Sequence, residues 1–140
     1  MPYEILEHGA DAGVRGIGRT LEEAFAEAAR AMFSLMVELA AVRPCRERAV
    51  EVKADDLGGL LVAWLGELLT LRDVEGLVFS DFSVEIGRSP GDLLLRGRAR
   101  GEPLDPARHQ PRLEVKAATY CGLRVGQEGG RYLAQCVVDV

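Results

Sequence analysis

A capping box followed by a long apolar stripe most constrains the fold of this sequence. Thr20 and Glu23 are spaced so that the Thr20 hydroxyl accepts the backbone N–H of Glu23, while the Glu23 carboxylate accepts the backbone N–H of Thr20. Pro44 limits the helix at its far end, because proline cannot continue one. Behind the box, apolar residues recur at helical spacing and predict one buried face. They are Leu21, Ala24, Phe25, Ala28, Met32, Leu35, Met36 and Leu39.

A second apolar stripe predicts another helix further along the chain. Asp55 or Asp56 can cap its start, and Asp73-Val74-Glu75-Gly76 ends it. The stripe consists of Leu57, Leu60, Leu61, Trp64, Leu65, Leu68 and Leu69. A helix with one apolar face must bury that face against another element.

The remaining segments alternate between apolar and polar residues, which predicts strands. They cover 3–7, 12–17, 49–53, 77–86, 93–100, 113–120, 123–125 and 131–140. A turn over 87–92 and a polar, proline-containing loop over 101–112 separate some of them. We therefore expect an α+β fold in a single domain over 1–140, with two layers and one mixed or antiparallel sheet covered on one face by two helices.

Composition excludes several classes of protein. A formal net charge of −5 disfavours general nucleic-acid binding through a basic surface. No apolar run reaches the roughly 18 residues that a membrane span needs, and the N-terminal residues lack the pattern of a signal peptide. Cys45, Cys121 and Cys136 are odd in number and widely spaced, which argues against a disulfide framework or a zinc site. These features predict a cytoplasmic protein with reduced thiols.

Two acidic positions are candidates for metal binding. Asp11 follows His8 in a short loop between two predicted strands, where polar side chains can gather at a sheet edge. At the other end of the sequence, Asp139 and the carboxylate of Val140 close an apolar strand, which predicts that both are held in fixed positions. Clustered carboxylates repel each other and need a neutralising partner. That partner is either a hard cation such as Ca²⁺ or Mg²⁺ or an arginine.

An arginine stripe and the polar loop are further candidates. Arg96, Arg98 and Arg100 share one strand face by their spacing, which suits either docking of a phosphate or protein or a solvated face opposite acidic neighbours. His109 in the loop can be a ligand, an acid/base group or, most commonly for such a residue, a surface residue. No phosphate-binding Gly-rich loop and no nucleophile elbow is present, and there are two histidines. This thin catalytic inventory favours a protein that assists a partner over a free-standing enzyme.

The order of short motifs along the chain resembles the archease family. His8-Gly9-Ala10-Asp11-Ala12-Gly13 resembles the opening His-Thr-Ala-Asp-Ile-Gly signature of that family. Five further segments are similar in the same order, and the terminal Val138-Asp139-Val140 completes the series. The five are 20–25, 64–69, 75–82, 101–109 and 114–120.

The resemblance implies a function in RNA processing. Archease-like proteins activate the RtcB-type RNA-splicing ligase, which joins tRNA halves using GTP and a divalent metal. They promote guanylylation of the ligase and its multiple turnover, in a chaperone-like manner, without joining RNA themselves. The implied partner is therefore the ligase, and tRNA is contacted only through it.

The resemblance also implies a metal site formed by Asp11, Asp139 and Val140. Ca²⁺ is the metal implied first, with Mg²⁺ as the alternative. His8 and His109 stay candidates for supporting the metal ligands or contacting the partner.

The three arginines of the stripe, Arg96, Arg98 and Arg100, are candidates for the same supporting or contacting role. The sequence departs from the family pattern at Gly9, where threonine is usual, and at Cys121, where histidine is frequent. Two other functions remain open. One is a small metal-dependent phosphoester hydrolase that uses His8, Asp11 and a metal-activated water. The other is a chaperone or adaptor without site chemistry.

Overall fold

The computed structural model describes residues 2–140, with the side chain of His8 outside the described part. It confirms the α+β class. A 3₁₀ turn, Leu39–Ala41, follows the first helix. The elements in chain order are β1 Tyr3–His8, β2 Asp11–Gly18, α1 Leu21–Met36, β3 Arg46–Ala54, α2 Leu57–Glu75, β4 Leu77–Ser89, β5 Asp92–Pro103, α3 Pro106–His109, β6 Ala117–Ala118, β7 Arg124–Glu128 and β8 Arg131–Asp139.

The strands are divided between two antiparallel sheets, where one sheet was expected. The larger has five strands in the order β1-β2-β8-β6, with β7 also paired to β8. The smaller has three strands in the order β3-β5-β4. Arg15 on β2 and Gln135 on β8 face each other although 120 positions separate them. Local periodicity does not reveal such long-range pairing. The sequence pattern therefore predicted a single sheet where the structure has two.

Both predicted helices form, and their caps explain where they begin. The Glu23 backbone N–H donates to Thr20 Oγ1 at 3.1 Å, and the Thr20 N–H donates to Glu23 Oε2 at 3.2 Å, completing the capping box. Asp56, one of the two residues expected to cap α2, accepts the Gly59 N–H at 2.7 Å. Gly76 ends α2 in the left-handed conformation with φ 68°, which glycine adopts without strain.

The core lies between the two helices and the inner faces of both sheets. Helix α1 packs against β2, β8 and β4 and so bridges the sheets, while α2 packs mainly against β3 and β5. Trp64, Phe25, Phe33 and Phe79 are fully buried there, and the Trp64 indole N–H donates to the Phe25 carbonyl at 3.1 Å. One face of each sheet is thus covered, and the opposite face is left for polar side chains.

The segment after the polar loop differs from expectation. Within the predicted strand 113–120, Ala117–Ala118 alone is assigned as strand. The backbone N–H groups of Arg112 and Leu113 instead donate to the Met36 and Leu35 carbonyls, at 2.8 and 3.0 Å. The last carbonyls of α1 have no N–H partner within the helix. The backbone N–H groups of this segment bond to them and cap the helix. No helix in residues 2–140 is long and apolar enough to cross a membrane.

Candidate metal centre

Asp11 and Asp139 lie opposite each other at one end of the five-stranded sheet. Strand β2 begins at Asp11 and strand β8 ends at Asp139. The antiparallel register places Ala12 opposite Val138, so one further step puts Asp11 opposite Asp139. Residues directly opposite in an antiparallel pair have Cβ atoms about 5 Å apart. The first and last acidic candidates of the sequence are therefore neighbours in the fold.

Their carboxylates project from the sheet face that the helices leave open. Ala12 and Val138 are buried in the core beneath α1, and successive strand residues point to opposite faces. Two of the residues in the same alternation as the aspartates, Arg15 and Gln135, join through a hydrogen bond of 2.8 Å on that open face. Asp11 is half-buried and Asp139 is exposed.

The last residues are anchored, as the apolar pattern predicted. The Lys116 backbone N–H donates to the Asp139 carbonyl at 2.7 Å, and Ala117 pairs with Asp139 in the sheet. Val140 is half-buried and packs against the hydrophobic core. The carboxyl group of Val140 is therefore held close to Asp139.

No cation of the described part neutralises these carboxylates. Neither Asp11 nor Asp139 forms an ion pair with any described residue. Across the same residues, no group of three or more His, Cys, Asp and Glu side chains is placed to hold a metal ion. The candidate donors are those predicted from the sequence, namely the side-chain carboxylates of Asp11 and Asp139 and the carboxylate of Val140. An all-oxygen set of this kind suits a hard cation such as Ca²⁺ or Mg²⁺.

The turn before Asp11 explains one departure from the family pattern. His8 and Asp11 close the β1–β2 hairpin as its last pair, with Gly9 and Ala10 as the turn. Gly9 has φ 58°, whereas Ala10 is not among the residues with positive φ. A positive φ at the first turn position favours glycine there. The role predicted for the His8 side chain concerns atoms outside the described part.

The arginine stripe is paired to acidic residues on the exposed face of the smaller sheet. Arg96 contacts Glu51 at 2.9 Å, and Arg98 contacts Glu47 at 2.6 Å. Arg100 lies 2.9 Å from both Glu47 and Asp81. Each arginine of the stripe thus meets an acidic residue on a neighbouring strand, as the solvated-face alternative predicted. The stripe lies on a different sheet from Asp11 and Asp139.

His109 is fully buried, so the expectation of a surface residue is wrong. Its Nδ1 accepts the Asp105 backbone N–H at 2.8 Å, which requires the proton of the neutral ring to sit on Nε2. That Nε2 lies 2.8 Å from Glu102 Oε2 and donates to it. Both ring nitrogens therefore have partners, and the side chain fixes the loop from inside.

Glu102 is the centre of a network that the sequence did not reveal. Its carboxylate accepts hydrogen bonds from two guanidinium nitrogens of Arg108, at 2.5 and 3.0 Å, and from the Arg43 backbone N–H at 2.8 Å. The Arg108 hydrogen bonds, followed by those from Arg43 and His109, hold the pKa of Glu102 well below its usual range despite its burial. A charged side chain in a polar loop is ordinarily exposed, so no sequence pattern marked Glu102 as a buried hub.

The fold and the paired carboxylates define a class: small α+β proteins with two opposed aspartates at one end of a sheet. The sequence profile of the archease protein family matches residues 3–140. The chain belongs to the archease family.

Individual relatives cover the whole length of the chain. Protein archease of Pyrococcus furiosus is 46% identical over 139 residues, which is 99% of this chain and 98% of that protein. Protein archease of Methanopyrus kandleri is 44% identical over 140 residues and is covered fully in both directions. Among solved structures, the solution structure of Methanobacterium thermoautotrophicum protein 1598 is 37% identical, with a TM-score of 0.87 and 99% coverage of each chain.

A more distant structure shows the same fold. The crystal structure of an archease from Thermotoga maritima, described as a possible chaperone, has a TM-score of 0.57 at 18% identity. It covers 98% of this chain and 96% of that one. At this identity the likeness concerns the fold alone.

Proposed function

We propose that this chain is a non-enzymatic accessory protein that activates an RtcB-type RNA-splicing ligase in the cytoplasm. It promotes guanylylation of the ligase and allows multiple turnover in tRNA splicing. Membership of the archease family supports this function. The observation that carries the proposal is the register that brings Asp11 opposite Asp139 on an open sheet face.

The acidic tip, defined as Asp11, Asp139 and the Val140 carboxylate, is the working end in this proposal. Two carboxylates on residues whose Cβ atoms are about 5 Å apart repel each other when no cation is present, and a divalent ion relieves that repulsion. Ca²⁺ is proposed first and Mg²⁺ second. When bound, the ion supplies positive charge that can be shared with oxygen atoms of the ligase or its nucleotide. The sheet of this chain holds the carboxylate oxygens of the acidic tip at one end, where they face the partner.

Ligase guanylylation measured with and without this protein tests the proposal. The intact chain should stimulate its cognate ligase, and Asp11→Asn or Asp139→Asn should reduce the stimulation at least about tenfold, by analogy with the loss of a metal ligand. Asp55→Asn is the matched control, because Asp55 is exposed and the helix cap is supplied by Asp56. Absence of stimulation by the intact chain rejects the proposal.

The same assay separates the two other functions. A chaperone or adaptor without site chemistry predicts that Asp11→Asn stimulates as well as the unaltered chain. A metal-dependent hydrolase predicts turnover of a simple phosphoester by this protein alone, with loss of turnover in Asp11→Asn. Stimulation that depends on the tip, without phosphoester turnover, supports the accessory function.

A further inference from the structure

An apolar groove lies between the C-terminal ends of α1 and α2 and the segment that caps α1. Its volume is about 230 Å³. Met36, Val37 and Val78 are buried in its floor, whereas Leu104 and Leu113 line its open side and are 42% and 51% exposed. Leucine is among the residues most often buried, and a patch of exposed apolar side chains marks an interaction site. We call this feature the Leu113 groove.

Backbone hydrogen bonds hold the open side of the groove in place. The Leu113 N–H donates to the Leu35 carbonyl at 3.0 Å, and the Leu104 N–H donates to the Gly76 carbonyl at 2.9 Å. Each leucine is thereby fixed to the end of a helix. A surface that is already ordered loses less conformational entropy on binding, so this groove is suited to docking a partner.

The charged residues of the groove leave one carboxylate unpaired. Arg72 pairs with Asp73 at 2.8 Å, and Arg112 pairs with Glu38 at 2.5 Å. Glu114 is exposed and forms neither an ion pair nor a hydrogen bond with any residue of 2–140. The two arginines are therefore neutralised by their own partners, and the unmatched charge at the groove is negative. Its complement on a partner is a cation.

The groove lies at the same end of the fold as the acidic tip. Gly18 of β2 lies against Ala24, and Gly16 lies against Ala28, so α1 runs back along β2. The eight residues of β2 span about 23 Å, and the 16 residues of α1 span about 24 Å. The last residue of α1, Met36 in the groove floor, is therefore level with the start of β2, where the acidic tip is formed.

The chain itself connects the groove to the acidic tip. Leu113 and Glu114 line the groove. Two residues beyond Glu114, the Lys116 backbone N–H donates to the Asp139 carbonyl at 2.7 Å. A partner that reaches the acidic tip is thus within a few residues of the groove.

We propose that the Leu113 groove docks a segment of the ligase that carries an aliphatic side chain beside a lysine or arginine. The aliphatic side chain enters between Leu104 and Leu113 and packs on Met36 and Val78, and the cation meets Glu114. The groove holds the partner while the acidic tip acts on it. This inference rests on the proposed ligase activation and adds the surface and the chemistry by which the ligase is held.

Isothermal titration calorimetry of the full chain with its cognate ligase tests docking apart from activation. Leu113→Ser and Leu104→Ser should each weaken the affinity about tenfold, the order expected when a leucine is removed from an apolar contact. Ile5→Ser is the matched control, because Ile5 is exposed to a similar extent but lies on β1, outside the groove. Thermal melts report whether each variant is folded.

Charge reversal tests the chemistry of the docked segment. Glu114→Gln should weaken the affinity about threefold, the size of one exposed ion pair, and Glu114→Lys should weaken it further. Glu85→Lys is the matched control, because it changes the net charge equally at an exposed glutamate on β4 that also lacks an ion pair within residues 2–140. The loss in Glu114→Lys should shrink at high salt.

Ligase guanylylation at rising concentrations of this protein separates the groove from the acidic tip. Stimulation by Leu113→Ser should be recovered when its concentration is raised about tenfold, whereas the deficit of Asp139→Asn should persist at saturation. An intact chain that binds the ligase without stimulating it rejects the proposed function and leaves the groove in place.

Three results would overturn the docking proposal while ligase activation stands. The first is unchanged affinity in both leucine variants, and the second is an equal loss in Ile5→Ser. The third is a Glu114→Lys variant that binds as well as the unaltered chain or no worse than Glu85→Lys, which would exclude a cation at Glu114.

Discussion

The buried imidazole of His109 donates to the buried carboxylate of Glu102 across 2.8 Å, seven positions apart in sequence. The Glu38 backbone N–H donates to the His109 carbonyl at 2.9 Å, tying this pair to the segment after α1. The polar loop is therefore held by an internal polar network, although its composition is that of a surface loop.

His109→Ala should lower the free energy of unfolding by about 2–4 kcal/mol, because it removes one donor to the buried Glu102 carboxylate, leaves the Asp105 backbone N–H without its acceptor and opens a cavity in place of a fully buried ring. Urea unfolding followed by circular dichroism measures the change. Arg112→Ala serves as the control, since its ion pair with Glu38 is exposed and should contribute less than about 1 kcal/mol. Equal losses in the two variants would contradict a central role for His109.

Acid should weaken the same network. The pKa of Glu102 is lowered in the folded protein, so its stabilising effect is complete above the unfolded value of about 4.5 and is lost as the pH falls below it toward the folded pKa. Glu102→Gln should reduce the melting temperature near neutral pH and flatten its decline below about pH 5. Glu51→Gln, at an exposed pair with Arg96, is the comparison. An acid limb as steep in Glu102→Gln as in the unaltered chain would refute the assignment.

Ca²⁺ at about 100 times its dissociation constant should stabilise the chain by about 2.7 kcal/mol if it binds the folded state alone. Without divalent ions, Asp139→Asn should be as stable as the unaltered chain or slightly more stable, since it removes a like-charge pair. With Ca²⁺ added, the order should reverse. Thermal melts with calcium and with a chelator measure both conditions, and an unchanged order would argue against a metal at the acidic tip.

Two glycine-to-alanine changes should have opposite effects. A Cβ at Gly16 would overlap the Ala24 carbonyl and the Ala28 backbone nitrogen of α1, so Gly16→Ala should destabilise by at least about 3 kcal/mol. A Cβ at Gly66 in α2 meets nothing within 4 Å, so Gly66→Ala should stabilise by about 1 kcal/mol through helix propensity. Denaturant midpoints measure both, and a stabilising Gly16→Ala would show that β2 and α1 are less tightly packed.

Cys136 should resist alkylation in the native protein. It is fully buried, and burial raises its pKa to about 12, which leaves little thiolate at ordinary pH. Iodoacetamide at about pH 8 should modify the exposed Cys45 while sparing Cys136. Mass spectrometry after unfolding in guanidinium provides the control, since Cys136 should then react. Rapid native modification of Cys136 would indicate that β8 opens.

Local features were predictable from sequence because their determinants are local. The Thr20–Glu23 box and the Asp56 cap depend on residues three positions apart, and both form as predicted. The burial of His109 and the hub at Glu102 depend on how a loop folds back on itself, which periodicity does not encode. The prediction of a continuous strand over 113–120 was wrong, because the backbone N–H of Leu113 bonds to a carbonyl at the end of α1 and not to a neighbouring strand.

The acidic tip could be predicted from the sequence in part. The anchoring of Asp139 followed from the apolar strand that precedes it, and its neighbourhood with Asp11 followed from the family resemblance. The register that aligns the two residues became visible in the structure, because β2 and β8 pair across most of the sequence.

This pairing has a consequence for biosynthesis. Strand β8 lies inside the larger sheet, between β2 and its neighbours β6 and β7. A nascent chain emerging from the ribosome can form its early hairpin, but it must wait for the last strand before the sheet closes. The two aspartates can meet only after β8 has been synthesised, so a product that terminates before β8 lacks the pair.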